Sequence, residues 1–321
     1  MPLITTNMDL AVRDLHAGKP VAIPTETVYG LAAMINNEHA IKAVFAMKNR
    51  PLNHPLIVHV PVHWNLNALA VDIPDYVEPL IKKFWPGPLT LVLRCKPNQV
   101  NPLVNGGQTS IAIRCPAHPI AQELLEHLKE PVVAPSANPF GKISPTTAVH
   151  VQESFPDQEL TILDGGRCNV GIESTIIDAT HPDHYQILRY GLIDEQAIAK
   201  VIALPSLNEY SNLRVPGKLN SHYQPKKTLY YFPDYISLEQ FCINEPRDVY
   251  VIASRQPQDV NDNHFHPLAE NPEKAAFDLY FQLRRADASN AQCIAIELPP
   301  AQSLWQGVRE RILKAGTPYF E

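Results

Sequence analysis

Apolar residues fall along this chain in two alternating patterns. Short runs rich in β-branched residues, at 21–24, 55–60, 89–94, 110–114, 131–134, 161–163, 175–178 and 186–188, predict strands. Between them lie longer stretches with apolar positions three and four apart. Ala40, Ile41, Val44, Phe45 and Met47 predict a helix over 38–48, and related spacing predicts helices over 73–84, 120–128 and 194–202. Asn7 is placed to cap a first helix carrying Leu10, Val12 and Leu15, which Gly18 ends. Ser144 followed by Pro145 has the form of an N-cap with proline at the first helical position, and predicts a helix reaching about Glu153.

The pattern lapses between 204 and 227 and then resumes. Strands at 228–232, 248–253 and 292–298 alternate with helices at 238–242, 272–286 and 303–314. The prediction is an α/β protein with a first domain over 1–205, a linker over 206–227 and a small α/β domain over 228–321. The length of 321 residues agrees with roughly 150 residues per domain.

Composition changes this picture in three places. There are 31 prolines against 13 glycines, yet 45% of residues are apolar, too many for a disordered chain. The prolines therefore belong to folded turns, where they fix φ and stiffen strand ends. A net charge of −6 argues against a broad basic surface for long nucleic acids, but not against a local basic site. No run reaches the roughly 18 apolar residues of a membrane span, and the first residues lack the pattern of a secretory signal. With five scattered cysteines and no CxxC pair, the expectation is a cytoplasmic protein with reduced thiols and no membrane association.

The common glycine-rich nucleotide motifs are absent, as are HExxH and GxSxG. The histidines at 181, 184, 264 and 266 read as solvated loops. What remains is polar residues gathered at strand ends between prolines: Thr25 to Thr27, Lys48 and Arg50, His59, Ser110 and Arg114, Ser136 and Asn138, Ser144, Ser174, and Arg189. Ligands of open α/β sheets collect at strand ends. Lys and Arg supply charge for phosphate or carboxylate, and Ser144 at a helix start would favour an anion. Together they suggest a site for a phosphorylated, anionic ligand held by side chains rather than by a glycine loop. Each residue alone also has a plain structural reading. Thr25 and Ser174 fit turns, Ser144 a simple cap, Lys48 and Arg50 a solvated helix end, and His59 a core histidine.

As a set, these segments resemble the YrdC-type threonylcarbamoyl-AMP synthase family. The resemblance rests on the runs 24–31, 48–51, 55–60, 85–90, 113–116, 134–138, 144–146, 164–166, 171–175 and 187–189, in the family's order over about residues 5–200. Pro216-Gly217 and the run from His222 to Pro225 resemble the linker of the longer, two-domain version. The chain departs from the family pattern at Asn49 and Ala32, where Gly is frequent, at His54, where Asn is usual, and at 218–220 in the linker.

The resemblance implies a twisted, mixed, YrdC-like sheet with an open concave active site, plus a Rossmann-like C-terminal domain. It implies synthesis of threonylcarbamoyl-AMP and pyrophosphate from L-threonine, bicarbonate or CO2, and ATP, for threonylcarbamoyladenosine in tRNA. It places Lys48, Arg50, Ser136 and Asn138 in the catalytic group, and Thr27, His59, Arg114 and Ser174 on L-threonine. Arg50, His54, Ser110, Ala134, Ser136, Ser144, Arg189, His222 and Tyr223 fall around ATP, the last two in a linker that closes as a lid. No resident metal is implied, but Mg2+ is expected on the ATP phosphates. Downstream tRNA threonylcarbamoyl-transferase proteins would take the product, and weak RNA contact is compatible with the concavity. Two alternative readings have less support. A carbamoyl-donor enzyme of the hydrogenase-maturation type lacks support without CxxC pairs, and a non-catalytic RNA-binding module is disfavoured by the net charge of −6.

Overall fold

A computed structural model describes residues 1–207, 212–217, 222–258 and 260–319. It divides into two compact units: Met1–Phe140 with Ser144–Lys218, and Gly141–Ile143 with Leu219–Glu321.

The first unit contains eleven strands in one sheet. They are β1 (Leu3–Thr5), β2 (Val21–Ile23), β3 (Gly30–Met34), β4 (Ile57–His59), β5 (Ala70–Val71), β6 (Leu89–Cys95), β7 (Ser110–Arg114), β8 (Val132–Val133), β9 (Thr161–Leu163), β10 (Thr175–Asp178) and β11 (Gln186–Arg189). The order is β1-β9-β2-β3-β8-β4-β7-β6-β10-β11, with β5 beside β6. Pairing is mixed: β4 runs parallel to β7, β7 antiparallel to β6, and β6 parallel to β10. Among the described residues seven α-helices accompany it: α1 (Met8–His16), α2 (Glu38–Lys48), α3 (Val77–Phe84), α4 (Pro102–Asn105), α5 (Pro119–Leu128), α6 (Ala148–Ser154) and α7 (Glu195–Ala199). Asn7 caps α1, its side chain accepting from the Leu10 N–H at 3.0 Å.

Side-chain alternation gives the central strands two unlike faces. Val58, Leu91, Leu93, Ile111 and Ile113 join the main core with Val44 and Phe45 of α2. Ile57, Val92, Ala112 and Ile176 point the other way. They form a separate small cluster with Leu188, Leu213 and Val215. On that same face, by alternation and register, lie His59, Thr90, Ser110 and Arg114.

The second unit is a five-stranded sheet in the order β14-β13-β15-β12-β16, parallel at every pair. Its strands are β12 (Thr228–Phe232), β13 (Val249–Ala253), β14 (Phe265–Pro267), β15 (Cys293–Glu297) and β16 (Thr317–Pro318). Helices α8 (Tyr235–Asn244), α9 (Pro272–Ala288) and α10 (Gln306–Ala315) lie in three of the four connections between consecutive strands, as crossovers between parallel strands commonly do.

Three expectations change. The helix predicted from Ser144 begins at Ala148, capped by Thr147, whose Oγ1 accepts from the His150 N–H at 3.2 Å. The Ser144 hydroxyl instead donates to Glu173 Oε1 at 2.6 Å. The helix predicted from 73 starts at Val77, after a turn in which the Val77 N–H donates to Pro74 O. The segment predicted as a linker over 206–227 is partly built into the units. Val215 is buried and Arg214 donates to Gly106 O in the first, and Gln224 bridges Lys142 in the second. All five cysteines are free thiols. No helix among the described residues is long and apolar enough to cross a membrane.

Candidate active site

Two groups of buried polar residues occupy the first unit. One is centred on Arg114, the last residue of β7. It lies beside His59 in register, and both are buried. The guanidinium donates from Nη1 to Thr27 Oγ1 at 2.8 Å and from Nε to Gly87 O at 3.3 Å, and Nη2 pairs with Glu26 Oε1 at 2.6 Å. Thr25 donates its one hydroxyl proton to Val28 O, so Thr27 donates toward Thr25 Oγ1 at 2.9 Å and receives from Arg114. Burial, and then the Arg114 charge, push His59 down to about 3. The ring is neutral near pH 7. Its Nδ1 faces Ile57 O at 3.2 Å, and a carbonyl can only accept, so the proton sits on Nδ1 and Nε2 is left as an acceptor.

Ser174 precedes β10 and is held from two sides. Arg189 Nη2 donates to its Oγ at 3.0 Å and Arg189 Nε to its carbonyl, while Thr90 Oγ1 lies 2.7 Å from that Oγ. Gly191 packs against this turn so closely that a Cβ there would lie 2.5 Å from Thr175 N and 2.8 Å from the Ser174 carbonyl carbon. Arg189 Nη1 donates to Pro216 O, tying the 212–217 segment to the same network.

The second group begins at the end of α2. Asn49 takes the left-handed conformation (φ 51°), which ends the helix and turns the chain between Lys48 and Arg50. Neither cation is solvated: Lys48 is 1% exposed and Arg50 8%. Lys48 Nζ donates to Ser136 O and, at 2.5 Å, to Asn138 O, so it fixes the loop after β8. Burial and the nearby Arg50 charge hold Lys48 well below the ordinary lysine range, against the opposing pull of Glu173. Burial brings Arg50 down to about 10. Arg50 donates to Pro55 O at 2.8 Å and lies over the Phe140 ring, whose edge also meets His54.

Lys48, Arg50, Ser136 and Asn138 thus form one cluster, as Thr27, His59 and Arg114 form another, with Ser174 and Arg189 linked to each other. Ser110 lies at the far end of β7 from Arg114, about 13 Å along the strand by the usual rise per residue. Ala134 donates its N–H to Ile57 O, at the start of β4 rather than at His59. Ser144 is buried with Glu173, three residues before the Thr147 cap of α6. His222 and Tyr223 belong to the second unit. There Tyr223 has φ 64°, stacks on Tyr280 and lies beneath the Arg311 guanidinium. Three residues of the site have no role in the sequence reading: Glu26, Thr90 and Glu173. The available signal for Glu26 was an acid placed between two threonines in an otherwise apolar stretch.

Comparisons with known proteins agree with this architecture. A family model covering Sua5, YciO and YrdC, described as "Telomere recombination", matches residues 13–191. A model described as "Threonylcarbamoyl-AMP synthase, C-terminal domain" matches residues 193–317. The threonylcarbamoyl-AMP synthase of Pyrococcus abyssi is 36% identical, with 95% of this chain and 93% of that protein covered. The threonylcarbamoyl-AMP synthase of Bacillus subtilis is 34% identical over 94% of this chain and 90% of its own. The crystal structure of P. abyssi Sua5 complexed with L-threonine superposes with a TM-score of 0.88 at 34% identity, covering 98% of this chain and 97% of that one. The chain belongs to the YrdC-type threonylcarbamoyl-AMP synthase family, in its two-domain form.

Proposed function

We propose that the chain condenses L-threonine, bicarbonate or CO2, and ATP into threonylcarbamoyl-AMP and pyrophosphate, for threonylcarbamoyladenosine beside the tRNA anticodon. The observation that carries this reading is a set of three buried cations, Lys48, Arg50 and Arg114, each anchored to fixed oxygens. They lie in a chain similar to P. abyssi Sua5, which was crystallised with L-threonine.

Arg114 takes the threonine carboxylate. Its remaining N–H groups form a planar fork suited to bidentate contact. Thr27 and Ser174 line the same subsite, and His59 Nε2 accepts from the threonine hydroxyl. The amine takes up CO2 as a carbamate, one of whose oxygens attacks the α-phosphorus as pyrophosphate departs. Lys48, Arg50, Ser136 and Asn138 hold the phosphates, with His54, Ser110, Ala134, Ser144 and Arg189 arranged along the nucleotide. Held rigidly by the Ser136 and Asn138 carbonyls, Lys48 would place positive charge where negative charge develops on the phosphates.

Among the described residues no group of three or more His, Cys, Asp or Glu side chains is set to hold a metal. The hard oxygen donors present, Ser144 and Glu173, suit Mg2+ arriving with ATP. Ser144 and Glu173 would hold such an ion, which would add to the neutralisation of the departing charge. By resemblance, His222 and Tyr223 match the family's lid positions, and such a lid would keep water from a labile anhydride. The product passes to tRNA threonylcarbamoyl-transferase proteins in the cytoplasm, with at most weak RNA contact by this chain.

Lys48→Ala tests the assignment. Pyrophosphate release is expected to fall by about 10²–10³-fold or more, with an unchanged circular dichroism spectrum. Turnover at the wild-type rate would remove Lys48 from the mechanism.

A further inference from the structure

We propose that Glu26 determines specificity at the amino-acid subsite. With Arg114 it forms a buried pair of opposite charges that admits a zwitterionic α-amino acid and disfavours an α-hydroxy acid. The inference rests on the function proposed above and concerns a residue to which that reading assigns no role.

Arg114 alone would be a buried single positive charge, and such a site favours any net anion. Glu26 changes the sum. Its Oε1 lies 2.6 Å from Arg114 Nη2, and its Oε2 accepts the Ala117 N–H at 3.0 Å. Its backbone is pinned as well, the carbonyl accepting the Val170 N–H at 2.7 Å. The carboxylate is therefore held by a hydrogen bond at Oε2 and by charge pairing at Oε1. Hydrogen bonds to Gly87 and Thr27 use two of the five guanidinium N–H groups. Nη2 meets Glu26 as an ion pair without a hydrogen bond, so N–H groups on both terminal nitrogens remain for a carboxylate.

A carboxylate beside Arg114 weakens the pull of Arg114 on a simple anion and repels it directly. That counts against a ligand bearing a single negative charge. It counts far less against one whose ammonium restores overall balance. Selecting by what the site repels is a known route to specificity. It also fits the reaction, in which the amine is the group that must be carboxylated.

The test is calorimetric titration of the full chain and of Glu26→Gln and Glu26→Asp with L-threonine and with its hydroxy-acid analogue, in which a hydroxyl replaces the ammonium. The wild type should prefer threonine by about 100-fold, and Glu26→Gln should narrow that preference by about tenfold or more. Glu26→Asp, which keeps the charge, should weaken both ligands but retain the preference. Equal wild-type affinity for the two ligands overturns the inference, and so does an unchanged ratio in Glu26→Gln. Should the Gln variant fail to fold, the Asp variant decides: loss of its preference overturns the idea. A wild type that binds no L-threonine at all refutes the proposed function itself.

Discussion

His59 shows how much of a residue's role lies outside its own identity. Its place at the end of an apolar strand was legible in the sequence, and by itself suits a core histidine. The structure keeps it buried but sets it beside Arg114, and the two effects together hold it near 3 against an ordinary 6.5. Because the folded value is depressed, the protein resists protonating this ring. The stability this represents is complete above pH 6.5 and is lost as pH falls through 6.5 toward 3. His59→Gln should therefore make the fall in stability between pH 6.5 and 3 shallower, by up to about 1.4 kcal/mol per pH unit. Urea unfolding across that range checks it, and parallel curves for the two proteins contradict it. Ser144 is the opposite case. Its sequence signal, a serine before proline, is a sound cap signal, but Glu173 is 29 positions away in sequence. A partner brought in by the fold cannot be read from local pattern.

At the scale of elements, most strands and helices were legible because periodicity and length agree. The exception at the site is β3. Gly30-Leu31-Ala32-Ala33-Met34 is buried throughout, so it shows no alternation, and it has no β-branched residue to mark a strand. It is nevertheless the strand that leads out of the Thr25–Thr27 loop and pairs with β8 ahead of Ser136. The end of α2 was easier to place than to explain. Asn49 occupies a left-handed position, which Asn tolerates and Gly adopts freely. Asn49→Gly should therefore leave stability within about 1 kcal/mol of wild type. Asn49→Val should cost about 1–2 kcal/mol and raise the ATP KM, because Lys48 and Arg50 flank the turn. Thermal unfolding and steady-state kinetics on the pair test this, and equal behaviour of Gly and Val would show that the backbone conformation is immaterial.

At the scale of the whole molecule, the excess of proline proves to be spread through the framework. Pro102, Pro119 and Pro272 open helices. The carbonyls of Pro55, Pro88, Pro135 and Pro145 accept hydrogen bonds at the turns around the candidate site. Composition pointed to stiff turns, but could not say which polar groups they hold. That depends on a sheet order in which distant strands become neighbours. The account's central claim is that this framework couples three substrates in one reaction. The most direct test is pyrophosphate release by the purified full chain with ATP and Mg2+, with and without L-threonine and bicarbonate. Release that requires both is the predicted result. Release that proceeds at the same rate when either is omitted would contradict the account.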